Sequence, residues 1–307
     1  MAEERIAAGA APAIEPEETP LRRVAADFAA SRLAVVGLTM LAAILLAALF
    51  APVLSPQNPY DLAQLDVMDS RLPPGSRSSD GSMTYWLGTD DQGRDMLSAI
   101  LYGLRISLGV GVTATLGALA LGLALGLGAA FFGGRVDTLV MRIADIQLSF
   151  PAILIALILL AVLGQGIDKI IVALVAVQWA YYARTVRGSA MVERSKEYIE
   201  AASGLALPAA RIVLRHLLPN CLPPLIVIAT VQVAAAIALE ATLSFLGLGL
   251  PITEPSLGLL ISNGFTYLLS GRYWISFFPG LALLATIVSI NLVGDQLRDV
   301  LNPRLQR

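Results

Sequence analysis

ISLGVGVTATLGALALGLALGLGAAF, residues 106–131, contains no charged side chain, and the uncharged interval around it runs for 29 residues between Arg105 and Arg135. A helix rises 1.5 Å per residue, so about 20 residues cross the ~30 Å hydrocarbon core of a bilayer. A charge at mid-bilayer costs about 2.5–3.5 kcal/mol even on lenient scales, so charge-free intervals mark spans. Working outward, the same test places span one at 33–51, span two at 106–131 and span three at 145–163. Span five falls at 222–241 and span six at 274–293. Span four is less clear, because Lys169 to Arg184 encloses only 14 uncharged residues. The segment IDKIIVALVAVQWAYYARTV (167–186) crosses if Lys169 and Arg184 snorkel outward and Tyr181 and Tyr182 sit at the interface. A re-entrant or interfacial helix is the other reading.

Composition agrees. Only 14% of the 307 residues are charged, 56% are hydrophobic, and the mean hydropathy is +0.73. A soluble domain carries about 25% charge, so this chain cannot wet a globule of its size. One cysteine, Cys221, and one histidine, His216, exclude a disulfide within the chain and a histidine-cluster metal site. The expected fold is an all-α polytopic membrane protein.

Loop charge tests the number of crossings. Residues 1–32 carry Arg5, Arg22, Arg23 and Arg32, and the 183–220 loop carries six Lys/Arg against three Glu. The tail after span six adds Arg298, Arg304 and Arg307, whereas the 52–104 loop holds seven Asp against three Arg. Basic loops favour the cytoplasm. Six crossings with both termini inside satisfy every loop, and five do not. The chain then divides into a disordered cytoplasmic tail (1–24) without signal-peptide character, the first helix and its lead-in (25–51), and an extracytoplasmic loop (52–104). A five-helix core (105–294) contains a cytoplasmic loop (184–220), and a cytoplasmic tail (295–307) closes the chain.

Within the core, Gly122 and Gly126 have the small-xxx-small spacing that lets helices approach closely. Pro151 is expected to bend span three near its inner end. Residues 191–220, MVERSKEYIEAASGLALPAARIVLRHLLPN, predict one helix over 191–202, punctuation at Gly204 and Pro208, and a second helix over 209–218 ended by Pro219. Such a hairpin along the inner membrane surface suits a docking partner, although an ordinary interfacial hairpin has the same pattern. No Gly-x-x-x-x-Gly-Lys-Ser/Thr occurs, so the chain has no P-loop for ATP.

The loop resembles the EAA motif of permease subunits of binding-protein-dependent ABC importers. The matching residues are Glu200, Ala201 and Ala202, then Arg211 and Ile212, then Arg215, His216, Leu218, Pro219 and Asn220. Further blocks are similar to the second permease subunit of the dipeptide/oligopeptide/nickel branch. Leu87-Gly88-Thr89-Asp90-x-x-Gly93-Arg94-Asp95 precedes span two, and Gly103-x-Arg105-x-Ser107-Leu108 opens it. Glu240-Ala241-x-Leu243-Ser244-Phe245-Leu246-Gly247-x-Gly249 and Pro255-Ser256-x-Gly258 follow span five. Asn291-Leu292-x-Gly294-Asp295-x-Leu297-Arg298-Asp299 and Asn302-Pro303-Arg304 close the chain. Two departures stand out. The glycine that usually follows EAA after three intervening residues falls on Ala206, with Gly204 early and Pro208 added, which is expected to displace the turn; and Leu257 replaces a usual Trp.

The resemblance implies a type I importer permease of the bacterial inner membrane, part of an ATP-driven peptide importer and not itself an enzyme. It implies a homologous but non-identical permease partner, two P-loop ATPase subunits or one two-headed ATPase, and an extracytoplasmic solute-binding protein. ATP and Mg would reside on those ATPase subunits. The EAA segment would couple to them, with Leu205, Ala206 and Leu207 entering an apolar groove and Glu200, Arg211 and Arg215 at its rim. Selection of cargo is expected mainly in the binding protein, which leaves dipeptide, oligopeptide, nickel-chelate and glutathione-like cargo open.

Polar residues inside spans are candidates for lining the pathway: Gln147, Gln178, Gln232, Glu240 and Asn291. Glu240 lies about 27 Å from the inner end of span five, at the outer edge, where it meets cargo or a partner, or else ties the helix to a neighbour. Asp295 and Arg298, three residues apart, read as a structural pair. The outer loop is too long for an idle connection and is expected to contact the binding protein or cover the cavity mouth. A membrane enzyme is disfavoured because HExxH, GxSxG and a second His are all missing. A secondary transporter is disfavoured because inverted repeats are not evident. Nothing in the sequence suggests a nucleic-acid partner.

Overall fold

The computed structural model describes residues 20–61 and 65–301. The expectation of a disordered tail therefore falls largely outside the described residues. Helix α1 (Pro20–Ala30) leads into α2 (Arg32–Leu49), whose start is capped by Ser31 accepting from the Ala34 amide, and the short α3 (Ala51–Leu54) follows. After the outer loop come α4 (Met96–Phe132), α5 (Gly134–Leu148), α6 (Ala152–Leu163) and α7 (Ile167–Arg194). The inner loop carries α8 (Glu197–Gly204) and α9 (Ala209–Arg211), and α10 (Leu218–Phe245), α11 (Leu257–Phe265) and α12 (Trp274–Val300) complete the bundle.

By length and composition, α2, α4, α12 and the continuous helical stretch 209–245 are long and apolar enough to cross a membrane. A fifth span exists if α5 and α6 count as one. That pair is bent by 93°, far more than the local bend expected of Pro151. Proline lacks the N–H of the helix ladder and drives Phe150 out of helical geometry; the Gln147 carbonyl that Pro151 leaves is met instead by the Phe150 amide at 3.2 Å. The six-crossing count thus rests on α7, which is long enough at 28 residues but not apolar enough by composition alone.

Burial explains α7. Ile170, Ala173, Leu174, Val177, Ala180, Ala183, Val186 and Ala190 recur every three or four residues and are all buried, largely against α4. Gly122 and Gly126 make that contact possible. A Cβ on Gly122 would lie 2.5 Å from the Tyr182 Cβ, and one on Gly126 would lie 2.5 Å from the Ala183 carbonyl oxygen. The charges at the inner half of α7 are also matched: Arg184 pairs with Asp145, and Arg187 with Asp137 at 2.5 Å, so both arginines are held by α5. A helix walled in by protein need not be greasy all round.

The loop between α3 and α4, expected to lie outside, is a folded clasp. Its hairpin of β1 (Ser76–Arg77) and β2 (Thr84–Tyr85) closes over buried Asp69, which accepts from the Tyr85 hydroxyl at 2.8 Å and the Ser79 amide at 2.9 Å. Thr89 donates to the Asp69 carbonyl at 2.5 Å and accepts from the Leu72 amide at 2.7 Å. The Trp274 indole, at the start of α12, donates to the Thr89 carbonyl at 3.2 Å and joins clasp to bundle.

Candidate functional site

At the end of the bundle expected to lie inside, α7 stops at Arg194 and α8 begins at Glu197, so the helix expected over 191–202 is two helices. The second half of the predicted hairpin also differs. Residues 209–245 form one continuous helical path through a π-helical segment, Ile212–Leu217, and Pro219 does not end it. The physical reason is local: Pro219 occupies the first turn of α10, where the ladder changes from π to α, so its missing N–H removes little. The inner loop is therefore a short helix and a turn feeding directly into a spanning helix.

Ile199, Ala202, Ile212 and Leu217 are buried and root the loop in a cluster with Leu127, Ala130, Tyr182, Val186, Ala190 and Cys221. Around the turn, Leu205 and Ala206 are exposed, Leu205 at 76%, while Leu207 is half-buried. Glu200, Ala201, Gly204, Arg211, Arg215, Pro219 and Asn220 are also exposed, His216 is half-buried, and Ala202 faces the bundle. Ala206 adopts φ +54°, the left-handed conformation favoured by glycine. The position of the family's usual glycine thus keeps a glycine-like backbone conformation although it holds an alanine. The Leu207 amide closes the turn by donating to the Ala202 carbonyl at 3.2 Å.

Tyr198, which the sequence pattern did not single out, braces this loop. Its hydroxyl donates to Glu193 at 2.7 Å and accepts from the Asn220 amide at 3.1 Å, linking the ends of α7 and α8 to the start of α10. Burial, followed by the hydrogen bond to Glu193, pushes the Tyr198 phenol up to about 12. Asn220 also donates to the His216 carbonyl at 2.7 Å, within the π segment's reach. The tyrosine's sequence neighbours are ordinary; its partners lie five and 22 residues away.

The polar residues within the helices do not gather in one place. Gln147, at the α5 elbow, donates to the Ala176 and Val177 carbonyls at 2.6 and 2.8 Å and accepts from the Trp179 indole at 2.7 Å. Gln178 is buried and donates to the Gln232 carbonyl at 3.1 Å, joining α7 to α10, while Gln232 is half-buried. Asn291 is exposed on α12. Glu240 is fully buried and accepts from Ser107 on α4 and Ser244 on α10, both at 2.8 Å. Gly294 packs against Thr230 of α10. Asp295 and Arg298 are exposed and form no ion pair among the described residues, contrary to the spacing argument; water screens both.

In the clasp, Asp90 and Arg94 form a fully buried ion pair at 2.6 Å, and Arg94 also donates to the Ile252 carbonyl at 3.3 Å beyond α10. Gly93 takes φ +79° with its α-carbon against Asp66, where an added Cβ would lie 2.2 Å from a carbonyl oxygen. Asp95 caps α4 by accepting from the Ser98 amide at 2.8 Å, and burial raises its carboxyl above the usual range. Gly88 brings the chain against Leu72 and Trp274. The block Gly88, Thr89, Asp90, Gly93, Arg94, Asp95 is thus one structural unit. Among the described residues no group of His, Cys, Asp and Glu could hold a metal ion.

Comparison with known proteins bears on both ends. Residues 19–74 match the N-terminal membrane domain of oligopeptide transport permease C. A putative peptide transport system permease protein of Brucella suis biovar 1 (strain 1330) is 40% identical over 271 residues, 88% of each chain. The dipeptide transport system permease protein DppC of Escherichia coli (strain K12) is 39% identical over 94% of this chain and 95% of its own. The oligopeptide transport system permease protein OppC of Bacillus subtilis (strain 168) is 36% identical over 91% and 88%. With residues 118–307 matching the binding-protein-dependent transport system inner membrane component, and these relatives covering nearly all the rest, the chain belongs to that family of multi-pass permease subunits.

Proposed function

We propose that this chain forms one half of the translocation pathway of an ATP-driven peptide importer in the bacterial inner membrane. The observation that carries the reading is the inner turn: an exposed Leu205 and a left-handed Ala206, rooted by Ile199, Ala202 and Ile212 and feeding straight into α10. A knob of that kind transmits motion without any chemistry of its own. ATP and Mg sit on separate P-loop subunits, whose closure drives the turns together and exchanges inward-open for outward-open packings. A non-identical permease completes the pathway, and a solute-binding protein delivers peptide to the outer clasp.

In this reading α7 is the fourth of six crossings, α5 with α6 the third, and both termini are cytoplasmic. Single cysteines at Ser79 and Ser195 in a Cys221→Ala background report the topology, with an impermeant thiol reagent on intact cells labelling only Ser79→Cys. Glu200→Lys or Ala206→Trp leaves the permease in the membrane but abolishes peptide-stimulated ATPase activity, because reversed charge or added bulk prevents seating. Normal transport by a stably expressed Ala206→Trp complex refutes the docking role, and failure of the purified complex to contain a P-loop ATPase refutes the importer.

A further inference from the structure

In the six-crossing reading, the third crossing is made of two helices, neither of which crosses by itself. At 1.5 Å per residue, the 15 residues of α5 and the 12 of α6 give about 22 and 18 Å, against a hydrocarbon core of ~30 Å. Their 93° break therefore lies at depth and not at a surface. The contacts of the pair place it the same way. Asp137, near the start of α5, meets Arg187, whereas Gln147, near its end, meets the carbonyls of Ala176 and Val177, the tenth and eleventh residues of the 28 in α7. Beyond α6, the Gln165 side chain donates to the Gly247 carbonyl at 2.7 Å, past the far end of α10.

The break leaves polar backbone bare. In an unbroken helix the Leu148, Ser149 and Phe150 carbonyls would accept from the amides four residues on, those of Ala152, Ile153 and Leu154. The Leu154 amide turns instead to the Pro151 carbonyl at 3.0 Å, and among the described residues the three carbonyls accept no hydrogen bond. The Ser149 hydroxyl does not help them, because it donates to the Asp145 carbonyl at 2.7 Å. Ser149, Phe150 and Pro151 are all exposed. To either side the exposed residues are apolar, Leu139, Ile143 and Ile146 on α5 and Leu154 and Ile158 on α6. The elbow is thus a polar band across a greasy wall. Hydrocarbon supplies no donors, so irregular backbone at this depth is tolerated only where it is buried in protein or lines a water-filled cavity.

We propose that the elbow 148–151 lines the aqueous peptide path, where its bare carbonyls accept hydrogen bonds from water and, as cargo passes, from the peptide's own N–H groups and ammonium. The proposal rests on the peptide-importer reading and says which part of this chain the cargo meets. Every peptide carries backbone N–H donors, so carbonyl acceptors grip the main chain and leave side chains unread. A permanent seam with the second permease fits less well, because the partner would have to bring three donors to a band whose flanks are apolar.

The test uses the complete importer with its ATPase and binding protein, the other subunits free of cysteine, in proteoliposomes of neutral lipid. Ser149→Cys and Phe150→Cys, each in a Cys221→Ala background, are treated with a trimethylammonium thiosulfonate, a charged reagent that stays in water. Two positions guard against one that fails to assemble. Leu45→Cys, on the exposed face of α2, is the reference. The thiolate is the reacting form and hydrocarbon suppresses it, so the elbow cysteines are expected to react at least about tenfold faster than Leu45→Cys. Trialanine with binding protein and ATP is expected to slow that reaction, and completed modification of Phe150→Cys to abolish trialanine uptake. Elbow reaction no faster than that of Leu45→Cys overturns the proposal in favour of a wall covered by lipid or by the second permease. Fast reaction that trialanine leaves unchanged overturns it in favour of a watery crevice off the path, and so does full uptake by the modified complex. Labelling is read without transport, so a wild-type complex that imports no trialanine refutes the importer reading itself, a result separate from the rate at the elbow.

Discussion

Arg94 and Leu205 both sit where their chemistry is least at home. The cation is 1% exposed, inside the clasp at the outer end, and the leucine is 76% exposed, on the turn at the inner end. The clasp spends its buried charge on itself: Asp90 answers Arg94, Tyr85 and Ser79 answer Asp69, and Ser98 answers Asp95. The inner loop leaves its apolar residue and its left-handed alanine without an answer among the described residues. The difference teaches which end is finished alone and which is finished by a partner. A polar network tied into the fold resists rearrangement even with one Arg94 nitrogen and one Asp95 oxygen left unpaired among the described residues, whereas an exposed knob on a rooted turn gains its remaining contacts from another subunit.

The contrast breaks most visibly at Arg94. Arg94→Ala leaves Asp90 buried and uncompensated, and removing one member of a buried pair costs about 3–5 kcal/mol. The solubilised complex should melt at a clearly lower temperature, or the protein should fail to accumulate. Unchanged melting would mean that the clasp contributes no stability, and the two ends would no longer differ in kind.

Glu240 sharpens the comparison from within the bundle. It is buried between Ser107 and Ser244 with no open side, so it behaves as part of the outer scaffold. Glu240→Gln keeps size but turns an acceptor into a donor, which leaves one serine hydroxyl poorly matched at a cost of about 1–3 kcal/mol. Melting should fall, and uptake of a neutral and a cationic peptide should fall equally. A loss confined to the cationic peptide would place Glu240 on the cargo path.

At the inner end, effects should be small on stability and large on coupling. Tyr198→Phe removes two hydrogen bonds, to Glu193 and from Asn220, at a cost of about 0.5–1.5 kcal/mol each. Asn220 is exposed and regains water, and Glu193 keeps its pair with Lys196 at 2.6 Å, so the melting temperature should move little. Peptide-stimulated ATPase activity should drop, because the tyrosine fixes α8 against the start of α10. Intact coupling in this variant would show that Ile199, Ala202 and Ile212 alone hold the loop.

Much of this arrangement was legible in the chain because the bilayer imposes a local rule. Charge-free intervals located α2 and α10 within four residues, while α4 begins ten residues before its interval and α12 ends seven after its own; the Gly122/Gly126 spacing marked a close helix contact, which the structure gives to α4 and α7. What local rules do not carry is compensation at a distance. Arg184 and Arg187 are tolerated in α7 because Asp145 and Asp137 of α5 meet them, and Pro219 is tolerated because a π segment precedes it. The clasp depends on Trp274 reaching Thr89, 185 residues away. Of the candidate site, the motif residues of the inner loop could be read directly, while Tyr198 had no periodic or spacing signal.

Ala206 is the finest test of the comparison. A non-glycine residue in the left-handed region costs about 1 kcal/mol, offset in part because glycine gives the unfolded chain more freedom. Ala206→Gly should therefore be neutral to slightly stabilising, by less than about 1 kcal/mol, and should leave transport intact, since the turn already has the shape that glycine prefers. The informative measurement is hydrogen exchange at Leu205–Leu207 in the permease with and without its ATPase. If the ATPase selects this turn, exchange there should slow on assembly in both forms, and the glycine form should start faster. Should Ala206→Gly instead uncouple transport while the turn stays ordered, the strain itself would be part of the signal, and the inner end would be a stored spring as well as a docking knob.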